Sequence, residues 1–420
     1  MHNNTPKNKR FYHIIGLVMG VFFVISFITN ILNSIIVDVK ESFNLSLTST
    51  GFLPFTFFIA YGIMSIPAGF LSERYSERTL LSMSFLIMGV ASLVFAIFPS
   101  YSVFGLTLFA LGSCMAVLQV IINPMLRVAG GEEHFAFNSV LAQLVFGAAS
   151  FLSPYLYKYI VNIDNTSIGN VAHILRGLVP KEIPWASLYV VFATLSFIFM
   201  VYVFLSKYPK FEKNEDEKIG NRNSYWNLLK NKWTLFYFFG IFCYVGTEQG
   251  IGNWISQFLY QYHGYDPKTI GAETVSYFWA MLTFGCVLGL LLLKVLDSRK
   301  ILIFATLITV ACLFFALLGD AETALIAFPM IGFFISVMYS IIFSLGLNSV
   351  REHHGSFSGI LCSGIAGGAI FPFIVGGIGE ITDLRTGMFF LLIPLIFITS
   401  IGFLSKPIVN NQIIKFNKSE

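Results

Sequence analysis

One carboxylate, Glu248, lies in the middle of a long apolar segment, within the sequence Cys-Tyr-Val-Gly-Thr-Glu-Gln-Gly-Ile-Gly-Asn-Trp at 243–254. If that segment crosses a membrane, the carboxylate must face a water-filled cavity, pair with a cation or take up a proton. No lysine or arginine occurs at comparable depth in another apolar segment. Glycines at 246, 250 and 252 loosen the helix here, as expected for backbone that lines a cavity. The pattern favours an ion-coupling role; the alternative is a protonated carboxyl held by one hydrogen bond between helices.

Amide side chains interrupt the apolar segments of the first part of the chain, at Asn30, Asn33, Gln119, Asn123 and Gln143. Asn30 and Asn33 are one helical turn apart, as are Gln119 and Asn123, so each pair shares a helix face. Amides both donate and accept hydrogen bonds, and such faces suit a solute rich in hydroxyls. The alternative is that they hydrogen-bond one helix to another, which is common in membranes. Their occurrence on separate segments that can converge favours contact with a solute.

Three further residues are candidates for solute contact. Trp254 and Trp279 can stack on the apolar face of a sugar ring, although Trp279 can equally be a packing residue. Asn253 follows Glu248 by about one and a half helical turns, which keeps it near the carboxylate.

The segment between Gly69 and Arg78, Gly-Phe-Leu-Ser-Glu-Arg-Tyr-Ser-Glu-Arg, follows the second apolar block. Charges such as Glu73 and Arg74 at the end of a span can bridge neighbouring helices and so stabilise one state of a protein that changes conformation. The usual fate of charges in such a loop is solvation. Their spacing from Gly69 favours a gating role for Gly69, Glu73, Arg74 and Arg78.

The elements that would position these residues are membrane helices. Hydrophobic residues make up 56% of the 420 residues and charged residues 11%, where a soluble domain carries roughly a quarter charged. The apolar residues form blocks of about 20, the length of a helix that crosses the hydrocarbon core. Twelve blocks are predicted, at 12–37, 51–71, 79–98, 101–126, 136–161, 184–206, 233–259, 272–296, 300–318, 321–348, 356–380 and 386–405. The fold class is therefore an all-α integral membrane protein with twelve transmembrane helices.

The chain divides in the middle. A charged connection at 207–232 separates a six-helix half at 1–206 from another at 233–420. Gly69 and Gly289, each followed by charged residues, are about 220 residues apart, and the Gly-Pro segments of the fifth and eleventh blocks have a similar offset. Such parallel halves belong to the major facilitator architecture, with a solute site near the midplane. Lysine and arginine concentrate on the side of both termini, which predicts that the termini and the linker are cytoplasmic.

The sequence resembles the fucose, galactose and glucose group of sugar–proton symporters in the major facilitator superfamily, over roughly 12–405. The most specific segments are Tyr-Val-Gly-Thr-Glu at 244–248, Ile-Gly-Asn-Trp at 251–254, Asn-Pro at 123–124, Leu-Ala-Gln at 141–143 and Ile-Phe-Ser-Leu-Gly at 342–346. The Gly69–Arg78 segment is similar to the general loop signature of the superfamily, with Glu73 and Ser76 in place of its aspartate and glycine. The resemblance implies sugar uptake by alternating access.

Three positions depart from the family pattern. Asn33 and Gln119 stand where the fucose-type members carry acids that are implied to handle the proton and the sugar, and Cys286 stands where members tend to carry arginine. An amide can hydrogen-bond a sugar but cannot titrate. Three mechanisms remain open: proton coupling through Glu248, sodium binding at Glu248, and uncoupled facilitation. Cation coupling is favoured, because a midplane carboxylate has no evident use in a facilitator.

The sequence therefore predicts a secondary active transporter for a hexose or an amino sugar in the inner membrane, working as a monomer in the lipid bilayer. The alternatives are an uncoupled sugar facilitator and an efflux transporter for a non-sugar solute. The seven histidines form no metal or catalytic cluster, so no enzyme, metal site or cofactor is expected. The basic residues are scattered, which gives no reason to expect a nucleic-acid partner.

Overall fold

The structure is a computed structural model that describes residues 11–45, 47–161, 170–206, 208, 228–266, 270–350 and 353–413. Every regular element in these ranges is helical. Spans one to six are Tyr12–Ser42, Leu47–Arg74, Glu77–Ile97, Tyr101–Gly130, Phe135–Val161 and Ser187–Leu205. Spans seven to twelve are Lys232–Gly252 with Ile255–His263, Ala272–Val295, Ser298–Leu318, Ala321–Ile335 with Met338–Leu347, His354–Ser363 with Gly367–Ile381, and Leu384–Phe389 with Leu392–Leu404. A short helix, Asn170–Gly177, lies between spans five and six.

The described helices have the length and surface of membrane spans. Eleven helical segments in the described ranges are long and apolar enough to cross a membrane. Span seven supplies the twelfth, and its polar stretch at 247–249 lowers its hydropathy. Large apolar side chains cover the outside of the bundle; Leu106 is 71% exposed and Phe204 is 63% exposed. On a soluble protein an apolar surface of this extent would associate with other molecules. The chain is a multi-pass α-helical membrane protein, as predicted.

Side-chain caps fix where several spans begin. Ser76 accepts a hydrogen bond from the Thr79 amide at the start of span three, at 3.2 Å. Asp320 accepts one from the Thr323 amide at the start of span ten, at 2.9 Å. These caps satisfy amides that the first helical turn leaves without partners. Each cap therefore fixes the start of a span directly after a short loop, between spans two and three and between spans nine and ten.

Several spans of the second half are interrupted. Span seven turns at Asn253–Trp254, and span ten breaks at Ser336–Val337. In span eleven the interruption is a 3-10 turn at Gly364–Ala366. Irregular backbone at membrane depth is tolerated where it is buried in protein or lines a cavity. The interruptions therefore indicate places where the backbone of the second half is buried in protein or lines a cavity.

The two halves repeat one packing order. In the first half, span one packs on span five, span two on span four, and span three on span six. In the second half, span seven packs on span eleven, span eight on span ten, and span nine on span twelve. Each pairing recurs six spans later, which confirms the predicted arrangement of two six-helix halves. The boundaries at 206 and 233 stay a prediction, because 207 and 209–227 lie outside the described residues.

The halves meet where span two packs on span eleven and where span five packs on span eight. Both ends of the described chain lie at one end of the bundle. The Phe11 amide donates to the Ala129 carbonyl at 3.1 Å, and the Gln412 amide donates to the Glu133 carbonyl at 2.9 Å. We call this end the termini face and the opposite end the far face. The helix His354–Ser363 of span eleven packs on spans two and four at the termini face, so the halves are in contact there.

Candidate functional site

Three polar side chains join the two halves in the middle of the bundle. The Tyr61 hydroxyl of span two donates to Oε1 of Gln119 in span four. Nε2 of Gln119 donates to the Tyr339 hydroxyl of span ten at 2.7 Å. All three are buried: Gln119 is 8% exposed, Tyr61 3% and Tyr339 6%. The predicted site residue Gln119 therefore lies at the contact between the halves, and both ends of its amide have partners.

Glu248 lies beside this group. It is half-buried in span seven, one turn after Tyr244, and it interacts electrostatically with Tyr244, Cys286 and Tyr339. The rings of Tyr244 and Tyr339 are 5.8 Å apart between centroids. Glu248 is not part of the ion pairs that Arg127, Arg299 and His353 form in the described part of the chain. A partly open carboxylate with neutral neighbours can take up a proton or a metal cation.

The other amides of the first half take two different positions. Asn123 is 1% exposed and donates from Nδ2 to the Gln119 carbonyl at 2.8 Å. It therefore packs on its own span, one turn after Gln119. Asn30 donates from Nδ2 to Oγ of Ser150 in span five at 2.8 Å and to the Ser26 carbonyl at 2.9 Å. Asn30 therefore ties span one to span five, as the alternative interpretation of these amides expects. It is half-buried.

Two predicted amides have less defined surroundings. The side chain of Asn33 lies outside the described part of the structure, so its predicted contact with a solute stays a prediction. Gln143 is half-buried in span five, four residues before Gly147. A Cβ at Gly147 would lie 2.4 Å from Oγ1 of Thr283 in span eight. Gln143 is thus one turn from the place where spans five and eight touch.

Of the candidates that follow Glu248, Asn253 and Trp254 lie at the break of span seven and Trp279 lies in span eight. Nε1 of Trp254 donates to the Pro372 carbonyl in span eleven at 3.1 Å, so the indole joins two spans of the same half. Asn253 is exposed. Trp279 of span eight is half-buried and packs edge-on against Phe278, with ring centroids 5.3 Å apart. The structure gives Trp254 a hydrogen-bond partner and leaves Asn253 exposed and Trp279 partly exposed.

At the termini face, the predicted gating residues Gly69 and Glu73 contact the other half. A Cβ at Gly69 would lie 3.0 Å from the Gly355 carbonyl of span eleven, so only glycine permits this approach without displacement. Oε1 of Glu73 accepts a hydrogen bond from the Ser356 amide at 3.3 Å. It also lies 3.4 Å from Nδ1 of His353, an ion pair when that imidazole is protonated. Glu73 is buried, with 9% exposure, so these contacts are shielded from water.

The two predicted gating arginines do not take part in that contact. Arg74 is exposed, and its guanidinium lies 4.8 Å from the centre of the Phe70 ring on the same helix. Arg78 is exposed and donates to the Ser206 carbonyl at 2.8 Å, at the end of span six. Arg78 also lies 5.3 Å from the centre of the Tyr208 ring, just beyond span six, so none of these contacts reaches span eleven.

Sequence reasoning missed a third arginine, Arg127 at the end of span four. It is 4% exposed and donates from Nε to Oδ1 of Asn348 at 2.7 Å and from Nη1 to Nε2 of His354 at 3.0 Å. Because guanidinium only donates, Nε2 of His354 must accept, which requires a neutral imidazole. Nη1 also pairs with Glu132 of the first half at 3.0 Å. Arg127 is thus a buried charge that holds the halves together at the termini face.

The tail after span twelve, residues 405–413, crosses the same face. The Ile408 amide donates to the Asn348 carbonyl at 2.8 Å, at the end of span ten. The Gln412 amide donates to the Glu133 carbonyl of the first half at 2.9 Å. The tail therefore connects the halves through its own backbone, next to the Arg127 contact.

The counterpart of the Gly69–Arg78 segment in the second half behaves differently. Asp297 caps span nine and accepts from Nε of Arg299 at 3.0 Å, and the bonds from Arg299 hold the pKa of Asp297 below its usual value. The Ser298 amide donates to Oδ1 of Asn411 in the tail at 3.0 Å. Asp297 thus pairs within its own half, whereas Glu73 contacts the other half.

Comparison with known proteins assigns the family. The sequence pattern of the Major Facilitator Superfamily matches residues 18–372. The chain belongs to the Major Facilitator Superfamily. It is 28% identical over 416 residues to the glucose/galactose transporter of Brucella abortus, which covers 96% of each chain. It is 22% identical over 390 residues to the L-fucose-proton symporter of Escherichia coli, covering 87% of this chain and 86% of that protein.

A solved member of the Major Facilitator Superfamily has the same fold. The crystal structure of the E. coli fucose:proton symporter FucP superposes with a TM-score of 0.80 at 20% identity, covering 93% of this chain and 98% of that chain.

Within the described residues, no group of three or more His, Cys, Asp or Glu side chains could hold a metal ion.

Proposed function

We propose that the protein is a secondary active transporter that takes up a sugar, a hexose or an amino sugar, across the inner membrane by alternating access. The relative from Brucella abortus is named as a glucose/galactose transporter, which supports a sugar as the solute. Members of this superfamily move a solute by rocking one half against the other around a midplane site. One chain supplies both halves, 1–206 and 233–420, which supports a monomer in the bilayer as the transport unit.

One observation carries the proposal: Gln119 is shared between the halves, with Glu248 next to it. A solute held at this point contacts both halves at once, so its binding is coupled to their relative position. The site includes amides, hydroxyls and aromatic rings, which together suit a sugar because its hydroxyls need donors and acceptors and its C–H faces need apolar contact. Asn123, Gln143, Asn253 and Trp279 are the further residues we propose around it, with Asn30 and Trp254 supporting the helices.

The contacts at the termini face support a gate. Gly69 and Glu73 pack on span eleven, and Arg127 bonds to spans ten and eleven, so the bundle is closed at this end. Basic residues, including Arg74, Arg78 and the linker lysines, are concentrated on this side, which supports a cytoplasmic location of both termini. The structure then corresponds to the state that is closed to the cytoplasm.

Coupling to a cation is proposed for Glu248. Gln119 is an amide and cannot carry a proton, whereas Glu248 is a half-buried carboxylate beside it that belongs to none of the described ion pairs. A carboxylate with neighbouring hydroxyls can bind either a proton or sodium. Whether a proton gradient or a sodium gradient drives uptake distinguishes the two ions.

The test is uptake of radiolabelled hexoses into proteoliposomes, with a proton gradient and a sodium gradient imposed separately. Accumulation under one gradient identifies the coupling ion. Glu248→Gln is expected to abolish accumulation while solute exchange across the membrane is partly retained, because the amide cannot titrate. Glu273→Gln is the matched control, since Glu273 is exposed near the start of span eight, bonded to the Tyr277 hydroxyl at 2.6 Å.

Other outcomes of this experiment would contradict the proposal. Full accumulation by Glu248→Gln would exclude the coupling role of Glu248. Equilibration without accumulation under both gradients would indicate an uncoupled facilitator. Inhibition of hexose uptake by lipophilic cations, but not by unlabelled sugars, would indicate an efflux transporter for another solute.

A further inference from the structure

The bond between Gln119 and Tyr339 joins the two halves. Both groups are buried, and the bond runs from span four to span ten across the interface. Nε2 of Gln119 carries two N–H donors, and one of them bonds to the Tyr339 hydroxyl. A solute hydroxyl that accepts the N–H directed at span ten must displace the phenol, so the two compete for that donor.

The surroundings of Tyr339 hold its hydroxyl at the contact between the halves. Its ring packs against Tyr244 and Phe343, with centroids 5.8 Å and 5.6 Å away. Span ten breaks at Ser336–Val337, so the helix that carries Tyr339 is a separate segment from Ala321–Ile335.

We propose that Tyr339 takes the place of the solute in the empty transporter. Its hydroxyl satisfies Gln119 while the empty halves change orientation, and a solute hydroxyl displaces it on binding. The inference rests on the proposed function and adds a role for a residue outside the predicted site. It follows that Tyr339 weakens solute binding and speeds the return of the empty transporter.

The physical reason for the faster return is the cost of an unpaired buried amide. When the halves pass through the occluded state, water is excluded and Gln119 must find a protein partner. Tyr339 provides that partner from the half that moves, whereas Tyr61 belongs to the same half as Gln119. Removing only the Tyr339 hydroxyl leaves the packing of the ring in place.

The test is Tyr339→Phe in proteoliposomes, with binding, net uptake and equilibrium exchange measured on the same preparation. Without the competing hydroxyl, the Kd for hexose is expected to fall about 2- to 10-fold, the effect of one net hydrogen bond. Net uptake requires return of the empty transporter and should slow roughly 10-fold, while equilibrium exchange, which does not, should be unchanged. A purely structural defect would weaken binding or slow both rates together.

Tyr237→Phe is the matched control. Tyr237 is 1% exposed, and its hydroxyl is 2.9 Å from Oγ of Ser349 within the second half, away from the site. This variant should keep the wild-type Kd and the wild-type ratio of net uptake to exchange. An unchanged ratio in Tyr339→Phe, or a raised Kd, overturns the inference.

A second measurement separates failure of this inference from failure of the proposed function. If the wild-type protein moves no hexose, the proposed function is wrong. The role of Tyr339 is then tested by the switching rate of the protein without solute. Labels at Arg74 and Lys300, which are exposed at the termini face on opposite halves, report its switching rate by single-molecule distance changes. Tyr339→Phe should slow that switching and Tyr237→Phe should not; equal rates in both variants and wild type refute the role of Tyr339.

Discussion

Arg127→Met should open the termini face. The arginine is 4% exposed, and its bonds to Asn348 and His354 cross from the first half to the second. Methionine keeps a long apolar side chain at the position, so the substitution removes the charge and the hydrogen bonds with little loss of volume. It acts on the equilibrium between the closed and open states of this face.

The expected shift follows from the number of bonds that cross the interface. A hydrogen bond to a charged group contributes about 1.5–3 kcal/mol, and Arg127 makes two of them to the other half. Water that enters the opened face replaces part of this bonding, so we expect a net loss of about 3 kcal/mol. That loss changes the ratio of closed to open molecules roughly 100-fold.

The assay is double electron–electron resonance between spin labels at Arg74 and Lys300. Arg127→Met should add a longer distance, or make it dominant, where the wild type shows one short distance. Arg78→Met is the control, because Arg78 lies at the same face but donates to the Ser206 carbonyl of its own half. An unchanged distance distribution in Arg127→Met, or the same change in both variants, would show that Arg127 does not hold the halves together.

Two further substitutions test a contact between the halves and a contact within the second half. Gly359→Leu should lengthen the same label distance, because its Cβ would lie 2.5 Å from the Ser65 carbonyl and 2.9 Å from Cα of Gly69, both backbone groups of the first half that cannot yield. A label distance like that of the wild type would contradict this. Trp254→Phe should lower the free energy of unfolding by about 1 kcal/mol through loss of the bond to the Pro372 carbonyl, measured by thermal unfolding in detergent, and should leave the KM for hexose unchanged. A large rise in KM with unchanged stability would instead assign Trp254 to solute contact.

The helices and their order could be predicted from the sequence, because lipid imposes a strict length on apolar segments. The repeat of two halves was also predictable, since Gly69 and Gly289 stand at corresponding positions. The structure confirms both through the recurring pairing of the spans. The breaks inside spans ten and eleven were not predicted, because the hydropathy of these segments runs on across them. In span seven the glycines at 246, 250 and 252 predicted a loosened helix, but not the position of its turn.

The function of the charged residues was harder to predict. The burial of Arg127 could not be predicted, because it depends on Asn348 and His354, more than 200 residues away in the sequence. The signal that could have found it is its place directly after the Asn123-Pro124 segment, on the same span as Gln119. Sequence spacing shows which residues share a helix face, but it does not show which half a side chain at a helix end will contact.

The tail at 405–413 binds both halves through the backbone amides of Ile408 and Gln412. A backbone amide offers the same bond whatever side chain it carries, so these contacts depend on the length and path of the segment and hardly on its composition. Asn411 is different, because its side chain fixes the path at the start of span nine. Substitutions along this segment should therefore leave its contacts in place, whereas an insertion, a deletion or a change at Asn411 should disturb them.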